Sequence, residues 1–352
     1  MKKNFWKNKR VLITGHTGFK GTWLSIWMKI LGAKVTGIAL PPQKKRNIFT
    51  IIDLKKRIDK SIFLNIKNKK KLKRAIINSN PQIIFHLAAQ PLVIDSFKDP
   101  INTVETNILG TTNLLEISKK IKCLKTIIVI TTDKVYLNQN KKKFYKENDK
   151  LGGDDIYSFS KVSVEMLVDS YRKLFFKNNK TVLTLRAGNV IGGGDWSDNR
   201  LIPDFIKSYE KKNIFLIRNP YHVRPWQHVI ECLYGYILAV EKTYIKKIKS
   251  LETINFGPSN KNNSTVKKVT DIMLKRYDLR YKIESRNKNN KFLEKSFLGL
   301  DSSLAKKILG WSSKIDTNET VNLTLEWYEE FFEKKDMYKY TCQQIKNYIS
   351  KS

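Results

Sequence analysis

The apolar positions in the first half of the chain follow two patterns. Short runs rich in β-branched residues predict buried strands at 10–14, 34–40, 82–88, 126–131 and 181–192. Between them, apolar residues three and four positions apart predict helices near 22–31, 68–79 and 102–120. Strands that alternate with helices over short connections are typical of a parallel sheet with helices on both faces. We therefore predict an α/β fold with a doubly wound parallel sheet, whose ligands bind at the carboxyl ends of the strands.

The second half is less regular and predicts a smaller C-terminal α/β lobe. Beyond residue 188, Gly, Pro and aromatic residues interrupt mixed segments, and the Lys/Asn tract at 286–292 is typical of an exposed loop. Helix and strand patterns return at 226–257, which we expect to complete the first domain, residues 1–188. The lobe then comprises 189–225 and 258–340 and is expected to bind substrate, and 341–352 form a basic tail with a helical pattern.

Composition restricts the class of protein. The 352 residues are 41% hydrophobic, which is enough for one large or two modest domains. The net charge is +35, but lysines are spread along the whole chain. We therefore expect no specific nucleic-acid partner, only a general attraction for small anionic substrates.

The spacing of the cysteines and the length of the apolar runs indicate the cellular compartment of the protein. Cys123, Cys232 and Cys342 lack a CxxC spacing, which predicts reduced thiols, and four histidines with scattered cysteines predict no metal site. The chain has neither an apolar run of about 18 residues nor a signal-peptide core at its start. A cytoplasmic protein without membrane contact is the simplest expectation.

Three glycines follow the first predicted strand in GHTGFKG, at Gly15, Gly18 and Gly21. Between a strand and a helix, the first glycine makes a tight turn and the second lets the backbone approach a pyrophosphate. The third lets the helix pack on the strand. Residues 1–188 are thus predicted to be a Rossmann-like dinucleotide-binding domain, the alternative being a tight turn without a ligand.

The choice between NAD and NADP stays open. The acidic residue that often ends the second strand and binds the ribose hydroxyls is missing from GIALPP, residues 37–42. Lys44, Lys45 and Arg46 follow and would suit a 2′-phosphate, although in so basic a chain they are equally consistent with an ordinary surface.

Tyr157 and Lys161 stand four residues apart at the start of a predicted helix, so they share one face. A phenol with a pKa of about 10 is a poor base at neutral pH, but a nearby ammonium and a cationic nicotinamide both favour phenolate. Tyr157 is then a candidate general base for an alcohol. Upstream, the strand at 126–131 ends in TTDKVY, which places Asp133 beside Lys134; alone, this pair would be explained by a solvated turn.

Several segments in order, over about residues 10–310, resemble the nucleotide-sugar 4,6-dehydratases of the extended short-chain dehydrogenase/reductase family. They are GHTGFKGTWL, HLAAQPLV, TTDKVY, LGGDDIYSFSK, RAGNVIGGGDW, RLIPD and VRPWQHV. The Asp-Lys pair resembles the members that act on CDP-glucose, whereas those acting on dTDP-glucose carry Asp-Glu. The resemblance implies NAD-dependent dehydration of a CDP-sugar in deoxysugar and O-antigen biosynthesis. It also implies a homo-oligomer, a dimer or tetramer, with the dimer formed through helices near 105–120 and 158–176.

The family reaction oxidises C4 of the hexose, eliminates water across C5 and C6, and returns the same hydride to C6. By resemblance, Tyr157 removes the 4-hydroxyl proton, Thr132 hydrogen-bonds that oxygen, and Lys161 holds the ribose and lowers the pKa of Tyr157. Asp133 is then the acid at the C6 hydroxyl and Lys134 the base at C5. Such roles require a raised pKa for Asp133 and a lowered pKa for Lys134, which partial burial would favour and an exposed ion pair would oppose.

The resemblance also implies binding residues. With Tyr157 and Lys161, the cofactor contacts are Gly15, Thr17, Gly18, Phe19, Gly21, Asn65, Ile66, Leu87, Ala88 and Ala89. The substrate contacts are Gln90, Asn189, Arg200, Arg224 and His228. Arg224 is expected to face the diphosphate, and His228 favours packing over catalysis. Three positions depart from the family pattern and bear on affinity and nucleotide preference: Ile94 for arginine, Phe97 for tyrosine and Asn65 for aspartate.

Two other functions are compatible with parts of this pattern. A 4-epimerase, or a dehydratase for another nucleotide sugar, would share the fold, but an epimerase needs Tyr157 and Lys161 and has no use for Asp133 and Lys134. A non-catalytic scaffold or sensor that binds NAD(P) would have no need of Tyr157 and Lys161, both of which are present.

Overall fold

The computed structural model describes residues 3–43, 46–176, 179–246, 251–259, 262–284 and 295–351. The strands are β1 Arg10–Thr14, β2 Lys34–Ala39, β3 Lys60–Phe63, β4 Ile83–His86, β5 Thr126–Ile130, β6 Thr181–Ala187, β7 Val190–Ile191, β8 Phe215–Ile217, β9 Val223–Arg224, β10 Gln227–His228, β11 Thr253–Phe256, β12 Ser264–Thr265 and β13 Tyr281–Ile283. The helices are α1 Lys3–Trp6, α2 Phe19–Ile30, α3 Ile48–Ile51, α4 Leu54–Arg57, α5 Lys69–Ser79, α6 Val93–Lys98, α7 Pro100–Val104, α8 Gly110–Lys119, α9 Ile156–Tyr171, α10 Leu201–Glu210, α11 Val229–Lys246, α12 Val266–Arg276, α13 Ser303–Leu309, α14 Thr317–Phe332 and α15 Met337–Ser350.

Seven of the described strands form one parallel sheet in the order β11-β6-β5-β4-β1-β2-β3. The strand order reverses between β1 and β4. In a doubly wound sheet, ligands bind in the crevice outside the carboxyl ends of the strands at such a reversal. The predicted fold class is confirmed.

Alternate residues of the central strands enter two hydrophobic cores, one on each face of the sheet. In β1, Val11 and Ile13 pack with residues of α2 and α11, whereas Leu12 packs with residues of α5 and α8. This follows from the two-residue period of a strand. The sheet is therefore buried on both faces, and a ligand has access at its carboxyl edge.

The element predictions differ from the structure in a few places. α2 begins at Phe19, three residues before the predicted start. The predicted helix at 102–120 is α7, a π-helical turn at Glu105–Leu109 and α8 in succession. β3 was not predicted; it is a four-residue edge strand with no buried residue.

The segments predicted to form the smaller lobe, 189–225 and 258–340, contain α10, α12, α14 and short paired strands. β9 pairs with β12 in antiparallel fashion, and β8 pairs with β13 in parallel. The chain returns to the large sheet through α11 and β11, which pairs with β6. Part of the predicted tail lies in α15, where the ring of Tyr348 packs against Trp27 of α2 at 6.3 Å between centroids. The domain division itself stays a prediction.

Three further observations concern the predictions. The Lys/Asn tract at 286–292 lies outside the described residues. Cys123, Cys232 and Cys342 are free thiols. Among the helices that the structure describes, none is both long and apolar enough to cross a membrane.

Candidate active site

A cavity of about 1410 Å³ lies at the carboxyl edge of the sheet, between the sheet and the smaller lobe. Sites for one small molecule usually have roughly 300–1,000 Å³. This cavity therefore has room for a dinucleotide and a second ligand together.

The glycine loop between β1 and α2 forms one wall. Gly15 has φ +79°, and a Cβ there would lie 2.7 Å from the backbone nitrogen of Ala88. Gly18 is different, because the only neighbour that a Cβ would meet within 4 Å is the carbonyl oxygen of Gly15, at 3.3 Å. Gly18 is also the N-cap of α2 and has no side-chain cap, so amide groups of the first turn are free to bind an anion.

The side chain of His86 forms hydrogen bonds at the point where the strand order reverses, between β1 and β4. Its Nδ1 lies 2.7 Å from Thr14 Oγ1 and its Nε2 3.0 Å from Thr111 Oγ1. The amide of Ala88 donates to the same Thr14 hydroxyl at 3.2 Å. Burial lowers the pKa of His86 to about 3, so the imidazole is neutral and acts as a structural bridge.

Tyr157 and Lys161 both line the cavity from α9, whose N-cap Asp155 accepts a hydrogen bond from the Ser158 amide at 2.9 Å. The Lys161 ammonium donates to the carbonyl of Ile130 at 3.1 Å, at the end of β5. The capped first turn of α9 and the end of β5 thus bring these two side chains to one wall.

The protonation of this pair differs from the expectation for Tyr157. Burial raises the pKa of Tyr157 to about 12, more than a hydrogen bond with Thr132 lowers it. Burial also lowers the pKa of Lys161 to about 8. Here the phenol is the stable form of Tyr157 at neutral pH, because desolvation outweighs the nearby positive charges.

Asp133 is buried at the end of β5, with 4% of its surface exposed. Its Oδ1 accepts a hydrogen bond from Thr132 Oγ1 at 3.1 Å, whereas Oδ2 has no hydrogen-bond partner within the described part of the chain. Burial raises the pKa of Asp133, opposed by the positive charge of Lys134 and the hydrogen bond from Thr132. A Cβ at Gly188 would lie 3.0 Å from Oδ2, so this glycine leaves space for the carboxyl group.

Lys134 lies beside Asp133, is half-buried and lines the cavity. A phenol, a hydroxyl, a buried carboxyl and two amines therefore share one wall. A solvated turn does not describe this segment.

Two arginines, Arg224 and Arg200, also line the cavity. Arg224 is buried, and its guanidinium donates to the Val223 carbonyl at 2.8 Å. Arg200 pairs with the buried carboxylate of Asp195 at 2.8 Å. Both guanidiniums bring positive charge to a surface that a diphosphate could bind.

Residues 12–324 match the family described as GDP-mannose 4,6 dehydratase. The chain belongs to this family. It is 39% identical to the CDP-glucose 4,6-dehydratase of Salmonella typhimurium (strain LT2), over 99% of this chain and 98% of that protein. It is 26% identical to the UDP-glucuronate 4-epimerase of Thermodesulfobacterium geofontis, over 92% of this chain and 97% of that protein.

Solved structures of the same fold include the dTDP-glucose 4,6-dehydratase from Bacillus anthracis in complex with NAD. It has a TM-score of 0.73 and 22% identity, and covers 91% of this chain and 96% of its own. The UDP-glucose 4-epimerase from Thermotoga maritima has a TM-score of 0.78 and 23% identity, over 92% of this chain and 99% of its own. Relatives and structures of the same fold thus include both dehydratases and epimerases, and the residues at the cavity must distinguish the two activities.

The structure brings nearly all of the predicted site residues to the cavity. Those that line it are Gly15, Thr17, Gly18, Phe19, Gly21, Asn65, Ile66, Leu87, Ala88, Ala89, Gln90, Thr132, Asp133, Lys134, Tyr157, Lys161, Asn189, Arg200 and Arg224. Ile94 and Phe97, which replace the family's arginine and tyrosine, line it as well.

His228 is the exception. Its side chain is fully buried, packs edge-on against Trp23 at 6.0 Å between ring centroids, and does not line the cavity. The structure therefore does not support a substrate contact by His228. The prediction that His228 has a packing role rather than a catalytic one agrees with these surroundings.

Two other predicted residues are engaged within the protein. The side-chain amide group of Gln90 donates to Thr103 Oγ1 at 2.9 Å and accepts a hydrogen bond from the backbone amide of Leu92. These bonds fix the loop in which Gln90 lies. The guanidinium of Arg46 lies over the ring of Trp196 at 4.7 Å and donates to Glu210 at 2.5 Å. Lys44 and Lys45 lie outside the described residues.

Sequence reasoning missed several polar residues at or beneath the cavity. Lys20 lines it from the first turn of α2, where the helix dipole disfavours a cation, and that placement was a usable signal. Asp195 and the buried pair Glu165–Arg186 had no such signal, because their partners are known only from the fold. Across the described ranges, no group of three or more His, Cys, Asp or Glu side chains is placed to hold a metal ion.

Proposed function

We propose that this chain converts CDP-glucose to CDP-4-keto-6-deoxyglucose and water, with NAD as its cofactor. The observation that carries the proposal is Asp133, a buried carboxyl group with a raised pKa beside Thr132. A protonated carboxyl is what an elimination needs to release a hydroxyl as water, and a 4-epimerase has no use for it. The 39% identity over 99% of the chain supports CDP-glucose as the substrate.

The residues at the cavity fit NAD. A Cβ at Gly18 would meet only the Gly15 carbonyl oxygen within 4 Å, and the amides of the first turn of α2 suit a pyrophosphate. Arg46 is paired with Glu210 rather than free for a 2′-phosphate, which favours NAD over NADP. Bound there, NAD would supply the hydride acceptor for oxidation at C4 and the hydride that returns to C6.

The oxidation step falls to three side chains. Tyr157 takes the proton of the 4-hydroxyl, and Thr132 hydrogen-bonds the same oxygen. Because burial raises the pKa of Tyr157 to about 12, this transfer requires positive charge close to the ring. Lys161, fixed by the Ile130 carbonyl, holds the cofactor ribose on the same side.

The elimination step falls to the two residues that follow Thr132. The new 4-ketone acidifies the C5 proton, which the half-buried Lys134 removes as general base. Asp133 donates its proton to the departing C6 hydroxyl. Both residues line the same cavity, so their side chains can act on adjacent carbons of one sugar.

The arginines that line the cavity bind the nucleotide. Arg224 and Arg200 supply positive charge for the diphosphate, and Asn189, on the loop after β6, lines the same cavity. Gln90 acts by holding the loop that follows β4.

The first test is a comparison of substrates. The purified protein is incubated separately with CDP-glucose and with dTDP-, GDP- and UDP-linked sugars, and product is followed by the alkali-induced absorbance of a 4-keto-6-deoxy sugar and by the loss of one water in the mass spectrum. We expect water loss from CDP-glucose. Water loss from another sugar only would overturn the substrate, and a change of configuration at C4 without water loss would establish an epimerase.

Asp133→Asn tests the role of the carboxyl group. Removing a general acid usually costs about 10²–10⁴-fold in rate, and we expect that loss in water elimination while C4 oxidation continues. Asp154→Asn is the matched control, because Asp154 is exposed at the cavity and paired with Lys295. An Asp133→Asn protein that dehydrates at the normal rate would refute the assignment.

The remaining proposals concern the setting of the enzyme. We place it in the cytoplasm, in deoxysugar synthesis for a surface polysaccharide such as an O-antigen. A homo-oligomer through the helices near 105–120 and 158–176 is supported by exposed apolar side chains there, namely Leu109, Phe159, Met166, Leu174 and Phe175. Light scattering tests it, and a monomer at working concentration would contradict it.

A further inference from the structure

A network of buried polar side chains lies beneath the cavity wall that carries the proposed catalytic residues. Glu165 of α9 and Arg186 of β6 form a two-point ion pair, with Nε to Oε1 at 2.9 Å and Nη2 to Oε2 at 3.1 Å. Both side chains are 4% exposed. The carboxylate also accepts from the hydroxyls of Thr131, at 2.5 Å, and Thr184, at 2.6 Å.

The network reaches both ends of the segment that carries Asp133 and Lys134. On one side is Thr131, held by Glu165. On the other is Tyr136, whose hydroxyl accepts from Arg186 Nη1 at 2.8 Å and donates to Asn255 Oδ1 at 2.7 Å. The guanidinium also lies over the Tyr136 ring, 4.9 Å from its centroid.

The same network is tied to the helix of the other two catalytic side chains. Tyr157, Lys161 and Glu165 follow one another at four-residue intervals on α9, so they share one helical face. α9 has further supports of its own, including the Asp155 cap at its first turn. Loss of the network would therefore leave Tyr157 and Lys161 better held than the 132–134 segment.

We propose that Glu165 and Arg186 are positioning residues, which hold Asp133 and Lys134 in register with Tyr157 and so couple water elimination to C4 oxidation. This rests on the proposed dehydratase function. Stability alone does not account for the pair, because a buried ion pair is often no more stabilising than apolar residues of the same volume. What the pair supplies is fixed geometry, and a misplacement of catalytic groups by about 1 Å can cost about 10²-fold in rate.

The test compares two partial reactions in one protein. C4 oxidation is followed by the near-ultraviolet absorbance of reduced cofactor, and elimination by loss of water from the sugar. We expect Glu165→Gln to lower elimination at least tenfold more than oxidation, with reduced cofactor and 4-keto sugar accumulating. Tyr136→Phe, which removes one hydroxyl from the network, is the milder variant in case Glu165→Gln does not fold, and we expect an effect of the same sign.

Glu231→Gln is the matched control. Glu231 is also a fully buried carboxyl group, but it accepts hydrogen bonds from the Ser313 hydroxyl and the Ile315 amide, on a loop that does not line the cavity. We expect this variant to unfold more easily and to keep the normal ratio of oxidation to elimination. Equal losses of both steps in Glu165→Gln and in Tyr136→Phe, or no loss in either, would overturn the inference.

A second readout does not depend on turnover. Amide hydrogen exchange at 131–136 should become faster in Glu165→Gln than in Glu231→Gln, relative to exchange in the first turns of α9. If the unaltered protein dehydrates no sugar nucleotide, the proposed function fails, and exchange still reports whether the network holds the segment. If the unaltered protein is active and exchange at 131–136 does not change, the positioning role fails by itself.

Discussion

Substitution of three glycines by alanine separates steric packing from cofactor binding. Gly310, which ends α13, has φ +72° and no neighbouring atom within 4 Å of a Cβ. Gly310→Ala should therefore cost only the strain of the left-handed region, about 1–2 kcal/mol. Gly15 has nearly the same φ, +79°, but its Cβ would lie 2.7 Å from the Ala88 nitrogen. Overpacking adds about 1–3 kcal/mol, so Gly15→Ala should cost roughly 2–5 kcal/mol in total.

Gly18→Ala should affect binding and spare the fold. Gly18 has φ −79° and ψ 166°, which alanine adopts readily, and a Cβ there would meet only the Gly15 carbonyl oxygen, at 3.3 Å. Its free energy of unfolding should stay within about 1 kcal/mol of the unaltered protein. Its affinity for NAD should fall at least tenfold, or about 1.4 kcal/mol, because the methyl group occupies the space into which a pyrophosphate must approach.

Two assays test these predictions. Denaturant unfolding gives the free energy of unfolding, provided that its slope against denaturant concentration is the same in all variants, and calorimetric titration gives the affinity for NAD. The Gly310→Ala protein controls for backbone strain and should bind NAD normally. Equal destabilisation by Gly15→Ala and Gly310→Ala would refute the argument from the close approach of Gly15 to Ala88. Unchanged NAD affinity in Gly18→Ala would refute the placement of the cofactor against this loop.

Further predictions concern charge. Lys161 has a pKa lowered to about 8 by burial, so activity that needs its ammonium should fall as the pH rises through about 8. Stability should change in the opposite sense: between about pH 8 and the ordinary lysine value of about 10.4, the unfolded chain binds more protons than the folded one, so unfolding becomes less favourable as pH rises. Lys161→Met should abolish this rise in urea titrations at several pH values, and an identical slope in both proteins would contradict the burial argument. Arg46→Ala removes a partly exposed ion pair with Glu210 and the contact with Trp196, at a cost of about 1 kcal/mol. The Arg46→Ala protein should keep the same preference for NAD over NADP when it is titrated with each cofactor. A shift of that preference towards NAD would show that Arg46 holds a 2′-phosphate.

The sequence by itself determined those features that depend on neighbours along the chain. β-branched runs identified β1 and β5, because burial on both faces leaves continuous apolar stretches. The glycine loop between β1 and α2 was recognisable because its function requires glycines, with their greater backbone freedom, at fixed intervals along the chain. Tyr157 and Lys161 share a face because a helix repeats every 3.6 residues. Local pattern does not reveal β3, whose edge position leaves its side chains partly exposed.

Only the tertiary structure decided which polar groups are desolvated and which are paired. The carboxyl group of Asp133 is buried in part by Gly188, which comes from the end of β6. His228 is enclosed by Trp23, and Arg46 is bound by Glu210, 164 residues further along the chain. A pKa is set by desolvation and by charges within a few ångströms, whatever their separation in sequence. The identities of Asp133 and Lys134 could thus be read from the chain, whereas the burial that raises the pKa of Asp133 exists only once the fold has formed.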